Sequence, residues 1–238
     1  MQVDTVISDA EQAAMLQSAG RLFACYERLQ SEQQHLLTPL LNGASPKQWM
    51  HYPEDDVIDH QSGYQYFYHS HSPEDRPDSS EHGHFHLFSR VDGGVHLINA
   101  KRERQFLKAL KSSSAKKRKT VSLMCISLGA KGIPTSLFTV NRWVTGDHLL
   151  SADSTLALLK NFRVATPGFE LINEWLQAMI GLFWPQIVDL LRQRDIKLKS
   201  LITNGHTGVN LLDDNAVELL SEFDVDIDRQ VGWLMKGH

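Results

Sequence analysis

Cysteine is scarce in this chain. Cys25 and Cys125 are the only two, a hundred positions apart and each in apolar company (Leu-Phe-Ala-Cys-Tyr and Leu-Met-Cys-Ile), which excludes a disulfide framework and any Cys-x-x-Cys zinc finger. Two buried thiols in a reducing compartment are the expected state. Long apolar runs are missing as well: no stretch approaches the ~20 residues of a membrane span. The opening Met-Gln-Val-Asp-Thr-Val-Ile-Ser-Asp has no basic segment followed by an apolar one, so the cytoplasm is the expected location. There is no internal repeat, and the only biased tract is a serine- and lysine-rich patch near residues 112–119. With 42% apolar and 22% charged residues and a net charge of -4, the 238-residue chain is neither collagen, nor coiled coil, nor disordered throughout.

Three stretches differ in period. Ser8-x-x-Glu11 forms a capping box, and Met15, Ala19, Leu22, Phe23, Tyr26 and Leu29 recur every three or four residues, so residues 8 to 42 read as a helical arm interrupted at Pro39. Residues 46–59, with Pro53 and Glu54-Asp55-Asp56, read as a loop. Between 64 and 144 the period falls to two in five segments: 64–71, 82–88, 95–98, 120–128 and 134–144. A short helix is expected around Arg104–Leu110. The last hundred residues turn helical: Ser151–Leu159, a long apolar helix from Thr166-Pro167 that must kink or break at Pro185, and a capped helix over Asp214–Phe223. The expected fold is α+β. It is a single domain over 1–238, with a helical arm (1–45), an antiparallel sheet of about five strands (60–148) and a mainly helical remainder (149–238) packed on it.

Twelve histidines are about twice the ordinary share. Five of them, His69, His71, His82, His84 and His86, fall within a single eighteen-residue window. Alternate residues of a strand share a face, so His69 and His71 point together, as do His82, His84 and His86. Paired symmetrically across the loop 72–81, the two segments set His71 opposite His82 and His69 opposite His84, with opposed Cβ atoms ~4.5–5.5 Å apart. Imidazoles that close can converge on one ion, whereas a slip by one residue would send the two sets to opposite faces. A nitrogen-rich set without cysteine suits Zn, Fe or Cu, and three ligands with an open position are a catalytic arrangement. Carboxylates available to a mixed set are Glu81, beside the motif, and Asp59, next to His60. A solvated polar face, histidines stacked on carboxylates, and a nucleophilic role are the other readings of the same pattern. His35, His51, His60, His96, His206 and His238 need no special account.

Local strings carry three resemblances. His84-Phe85-His86 resembles the His-x-His of cupins, although Ser89-Arg90 stands where that family places a glutamate. His82-Gly83-His84-Phe85-His86-Leu87-Phe88 resembles the signature of the histidine-triad nucleotide-binding superfamily, departing at Gly83. That resemblance implies His84 as a nucleophile on a nucleotide α-phosphate, supported by His82 and His86. The segment His51 to Arg90, together with Asn141-Arg142-Trp143-Val144-Thr145-Gly146, resembles an uncharacterised bacterial protein family with a His-Gly-His-Phe-His core. This third resemblance covers most of the chain and implies a cytoplasmic bacterial protein without an assigned activity.

Outside the hairpin, Arg142 stands at the end of the last strong strand, where its guanidinium could clamp a carboxylate or phosphate, with Asp147 and His148 nearby. Nine of the 24 basic residues and one of the 28 acidic residues lie in 101–119, so an acidic body carries one basic patch. Lys116, Lys117, Arg118 and Lys119 form its densest part and could meet nucleic acid phosphates or simply be solvated. The sequence thus points to a metal-binding protein in which His69, His71, His82, His84 and His86 hold a transition metal ion (Zn, Fe or Cu). A metal-dependent enzyme acting on a small anionic substrate is its leading form, with Glu81 and Arg142 as candidate catalytic residues. A histidine-triad-like nucleotide hydrolase or transferase, and a non-catalytic metal- or polyanion-binding protein, are the alternatives.

Overall fold

Six strands lie side by side in sequence order, every neighbouring pair antiparallel: β1 (His51–Asp59), β2 (Tyr64–Ser70), β3 (Glu81–Arg90), β4 (Thr120–Gly129), β5 (Pro134–Val140) and β6 (Leu219–Asp224). They are seen in a computed structural model that describes residues 7–43, 47, 50–71, 81–91, 97–113, 119–206 and 210–236. The helices among these are α1 (Asp9–Ser31), α2 (Thr38–Leu41), α3 (Ala100–Ala109), α4 (Arg142–Thr145), α5 (Ala152–Lys160), α6 (Glu170–Leu182), α7 (Trp184–Thr203) and α8 (Ile227–Met235), with a 3-10 turn over Leu211–Asp213. The fold is α+β, as the periods of the sequence imply.

The sheet buries one face against helices because β2 alternates. Tyr64, Tyr66 and Tyr68 point into the main core, and two of their hydroxyls donate to helical acceptors: Tyr64 to the Leu158 carbonyl and Tyr66 to Asn173 Oδ1, both at 2.7 Å. Phe85 and Leu87 of β3 join them, and Phe85 meets the fully buried Trp175 of α6 with ring centroids 5.9 Å apart. Burying side chains of this size contributes on the order of 2–3 kcal/mol each. α1 lies on α6 through its Met15, Ser18, Ala19, Leu22, Cys25 and Leu29 stripe, and Arg21 grips Glu174 with both arms of its fork. The capping box at Ser8 and Glu11 is present, Glu11 Oε2 accepting from the Ser8 backbone N–H at 2.8 Å. Cys25 and Cys125 are both buried, and neither forms a disulfide.

Four expectations need correcting. Residues 51–59 form β1 and not a loop. β1 is an edge strand whose pairing with β2 skips from Tyr52 to Val57, and only Val57 is buried. Proline and acidic residues are tolerated on such an edge, where an unmade ladder bond faces solvent. At the other edge, Asp214–Phe223 is not a helix: its end enters β6, where Leu220 alone is buried. α6 starts at Glu170 without a side-chain cap, not at Thr166-Pro167. Pro185 does break the long apolar helix, sitting in the first turn of α7. Of the expected strand 95–98, residues 95 and 96 lie outside the described residues, and 97–98 are not strand.

Candidate metal centre

The site is built on the sheet face turned away from α1 and α6. Pairing of β2 with β3 sets Phe67 opposite His86, His69 opposite His84 and Ser70 opposite Gly83, and the His71 N–H donates to the His82 carbonyl at 3.1 Å. This is the symmetric register. It continues across the sheet, so His51, His69, His84 and Ser127 share one row, and Phe67, His86, Cys125 and Phe138 the next.

His69, His71 and His84 form a triangle of imidazoles. Their ring centroids are 4.6 Å (His69–His71), 4.6 Å (His69–His84) and 5.0 Å (His71–His84) apart, and one nitrogen from each lies within 4.8 Å of the others. That group is able to hold a metal ion. His84 is buried, while His69 and His71 are half-buried. Aromatic rings wall it: Phe67 lies 4.8 Å from the His86 ring, and Phe138 meets His84 edge-on at 4.9 Å.

A hydrogen-bonded chain runs behind the triangle. His84 Nδ1 donates to Glu81 Oε1 at 2.5 Å, His84 Nε2 and His86 Nε2 are 2.8 Å apart, and His86 Nδ1 lies 3.2 Å from Cys125 Sγ. Burial holds the His86 imidazole well below its ordinary pKa, reinforced by the neighbouring His84, His69, His51 and His71. A metal-ligating histidine commonly donates its far nitrogen to a carboxylate, and Glu81 stands in that place toward His84.

The structure distributes the other sequence candidates elsewhere. His82 leaves the cluster because pairing of β3 with β4 is irregular between Glu81 and Gly83. The side chain of Glu81 thereby reaches the histidine face, and His82 Nδ1 sits 2.7 Å from the hydroxyl of Tyr68, a member of the helix-facing row. Burial, with His35 nearby, lowers the His82 pKa. Arg142 directs its fork to Asp213, with Nε to Oδ1 at 3.0 Å and Nη2 to Oδ2 at 2.7 Å, while Nη1 donates to the Ser113 carbonyl at 2.7 Å. Asp147 is engaged by Thr120, and Asp59 caps a turn by accepting from the backbone of Gln61 and Ser62. Of the basic patch, Lys119 is exposed and gives its carbonyl to Val91 N–H at 2.8 Å, whereas Lys116, Lys117 and Arg118 lie outside the described residues. Two participants were missed from sequence. Cys125 reaches His86 only through the β3–β4 register, and His51 stacks on Phe67 at 3.7 Å from a strand with no periodic signal.

Helices on one sheet face and a histidine cluster with a carboxylate behind it on the other define an α+β protein with a candidate metal centre. The chain belongs to DUF6969, a domain of unknown function, whose family model matches residues 16–225 and so includes every residue of the cluster. No match to the histidine-triad superfamily accompanies it, and no curated protein and no solved structure matches the chain. Among the described residues no helix is long and apolar enough to cross a membrane.

Proposed function

We propose that this protein is a metal-dependent enzyme whose ion is held by His69, His71 and His84 and activates water or dioxygen on the side bordered by the half-buried His69 and His71. The observation that carries the reading is the convergence of the three imidazoles, one nitrogen from each within 4.8 Å of the others. Three protein nitrogens without a cysteine are the ligand set of catalytic zinc, which keeps a fourth position for water or substrate, rather than of structural zinc. Phe67 and Phe138 give the site an apolar wall, which strengthens electrostatic interactions at the ion. Two buried cysteines outside any disulfide fit a reducing compartment such as the cytoplasm. Because the Arg142 fork grips Asp213, the proposal assigns it no contact with substrate.

Titration of chelator-stripped protein with Zn, Fe and Cu, followed by calorimetry, tests the reading. One site per chain is expected for at least one of these ions, weakened a hundredfold or more by His69→Ala, His71→Ala or His84→Ala. His206→Gln, in a separate pair with Asp214, is expected to change nothing. Equal affinity in the triad variants and the unaltered chain would overturn the assignment.

A further inference from the structure

The helical side of the sheet holds a cleft that the histidine face does not reach. It opens where α1, the end of α5, α6 and the start of α7 meet, and encloses about 310 Å³. We propose that this cleft binds a small apolar monocarboxylate, of the class of medium-chain fatty acids and aromatic acids, as a second site that stands whether or not the metal centre does. Three observations carry the inference.

The first is the wall. Met15, Leu159, Phe162, Ile180 and Pro185 line the cleft and are buried in the fold, and the half-buried Trp184 adds an indole beside them. Sites for small molecules are mostly apolar with a few polar groups that fix orientation, and run from about 300 to 1,000 Å³. This cleft stands at the small end of that range. It suits a single short chain or a single ring rather than a peptide helix.

The second is charge. Glu11, Arg21, Lys160 and Arg163 are the ionisable residues of the lining. Arg21 is engaged by Glu174, and the Glu11 carboxylate accepts from the Ser8 backbone N–H at 2.8 Å and the Ser8 hydroxyl at 2.7 Å. Lys160 and Arg163 are both exposed, and among the described residues neither forms an ion pair; Arg163 donates Nη1 to the Phe162 carbonyl at 2.8 Å. Two cations without a carboxylate partner therefore flank an apolar cleft. A guanidinium fork can hold a carboxylate through two bonds while an ammonium adds a point charge. A neutral ligand would leave both cations unanswered, and Glu11 on the same rim opposes a head group of higher negative charge.

The third is preformation. α1 and α6 approach so closely beside the cleft that a Cβ on Gly181 would overlap Ser18 Oγ, and both of these residues belong to the lining. The grip of Arg21 on Glu174 ties the same two helices together. Contacts that exist without a ligand thus hold the walls in place, which spares binding the cost of ordering them.

The test titrates the full chain with octanoate by calorimetry. One site per chain is expected, with octanol of the same length bound about tenfold or more weakly. An octanoate brominated at its last carbon is expected to quench indole emission, and the quench is expected to vanish in Trp184→Phe. Reversing the two exposed cations together, Lys160→Glu with Arg163→Glu, is expected to weaken octanoate about tenfold or more while leaving octanol unchanged. Ala14→Trp, which plugs the cleft from an exposed position on α1, is expected to abolish binding of both at an unchanged melting temperature. Octanol bound as tightly as octanoate, full octanoate affinity in the charge-reversed chain, or no saturable binding of octanoate or phenylacetate at millimolar concentration would overturn the inference. Because octanoate and octanol are compared on the unaltered chain, that comparison stands even if a variant fails to fold.

Discussion

At the scale of single residues, the centre depends on who stands behind each imidazole. Glu81 fixes His84 through a 2.5 Å bond between two side chains only 6% and 4% exposed, so Glu81→Gln keeps the volume but removes the charge that orients the ring. Metal affinity is expected to drop about 10- to 100-fold, read by competition against a chelator of known strength, with thermal stability of the metal-free protein lowered far less. Unchanged affinity would show that Glu81 merely fills space. Adjacency alone brought Glu81 to notice in the sequence, and the alternation of His69, His71, His84 and His86 was legible because strand side chains repeat every two residues. His82 obeys the same alternation on paper. The irregularity between Glu81 and Gly83 breaks its parity, and nothing in the local string announces it. Cys125 was unreadable as a participant for a different reason: its contact with His86 spans 39 positions and exists only through the pairing of two strands.

At the scale of elements, the hairpin of β2 and β3 is held in register by an unusually close approach. A Cβ on Gly83 would lie 2.4 Å from the His69 carbonyl oxygen and 2.4 Å from the Tyr68 hydroxyl, and the first of these is backbone that cannot swing aside. Gly83→Ala is therefore expected to destabilise the protein by at least about 3 kcal/mol and to abolish the metal site, measured by denaturant unfolding and metal titration. A stable variant with full affinity would contradict the packing described. This packing also accounts for the one departure from the histidine-triad string, since Tyr68 lies across position 83 to reach His82. Tyr66→Phe would leave Asn173 Oδ1 without its 2.7 Å donor in the core. A loss of about 1–2 kcal/mol in unfolding free energy with metal affinity intact is expected, and an unchanged midpoint would show that the bond contributes nothing net. β2 to β5 were legible because each has at least one continuously buried, alternating face. β1 and β6 were not, because an edge strand with a single buried residue carries almost no hydrophobic period.

At the scale of the whole molecule, folding and metal binding are linked. An ion bound only by the folded chain raises its stability by about 2.7 kcal/mol at a hundredfold excess over Kd, so the melting temperature should climb with metal concentration. Without metal, acid should destabilise. The folded chain holds His86 well below its ordinary pKa by burial, so its contribution is complete above an unfolded value of about 6.5 and is lost as pH falls through the folded value, with a slope of at most about 1.4 kcal/mol per pH unit. Unfolding of chelator-treated protein between pH 7 and 5 checks this, and a flat profile would mean that His86 accepts a proton in the folded state. The central claim, that this sheet face is a metal centre, meets its most direct test in elemental analysis of the protein purified without a histidine tag. The account predicts close to one transition metal ion per chain, lost on chelation and restored by adding back Fe, Cu or Zn. A content near zero that no added ion restores would contradict it.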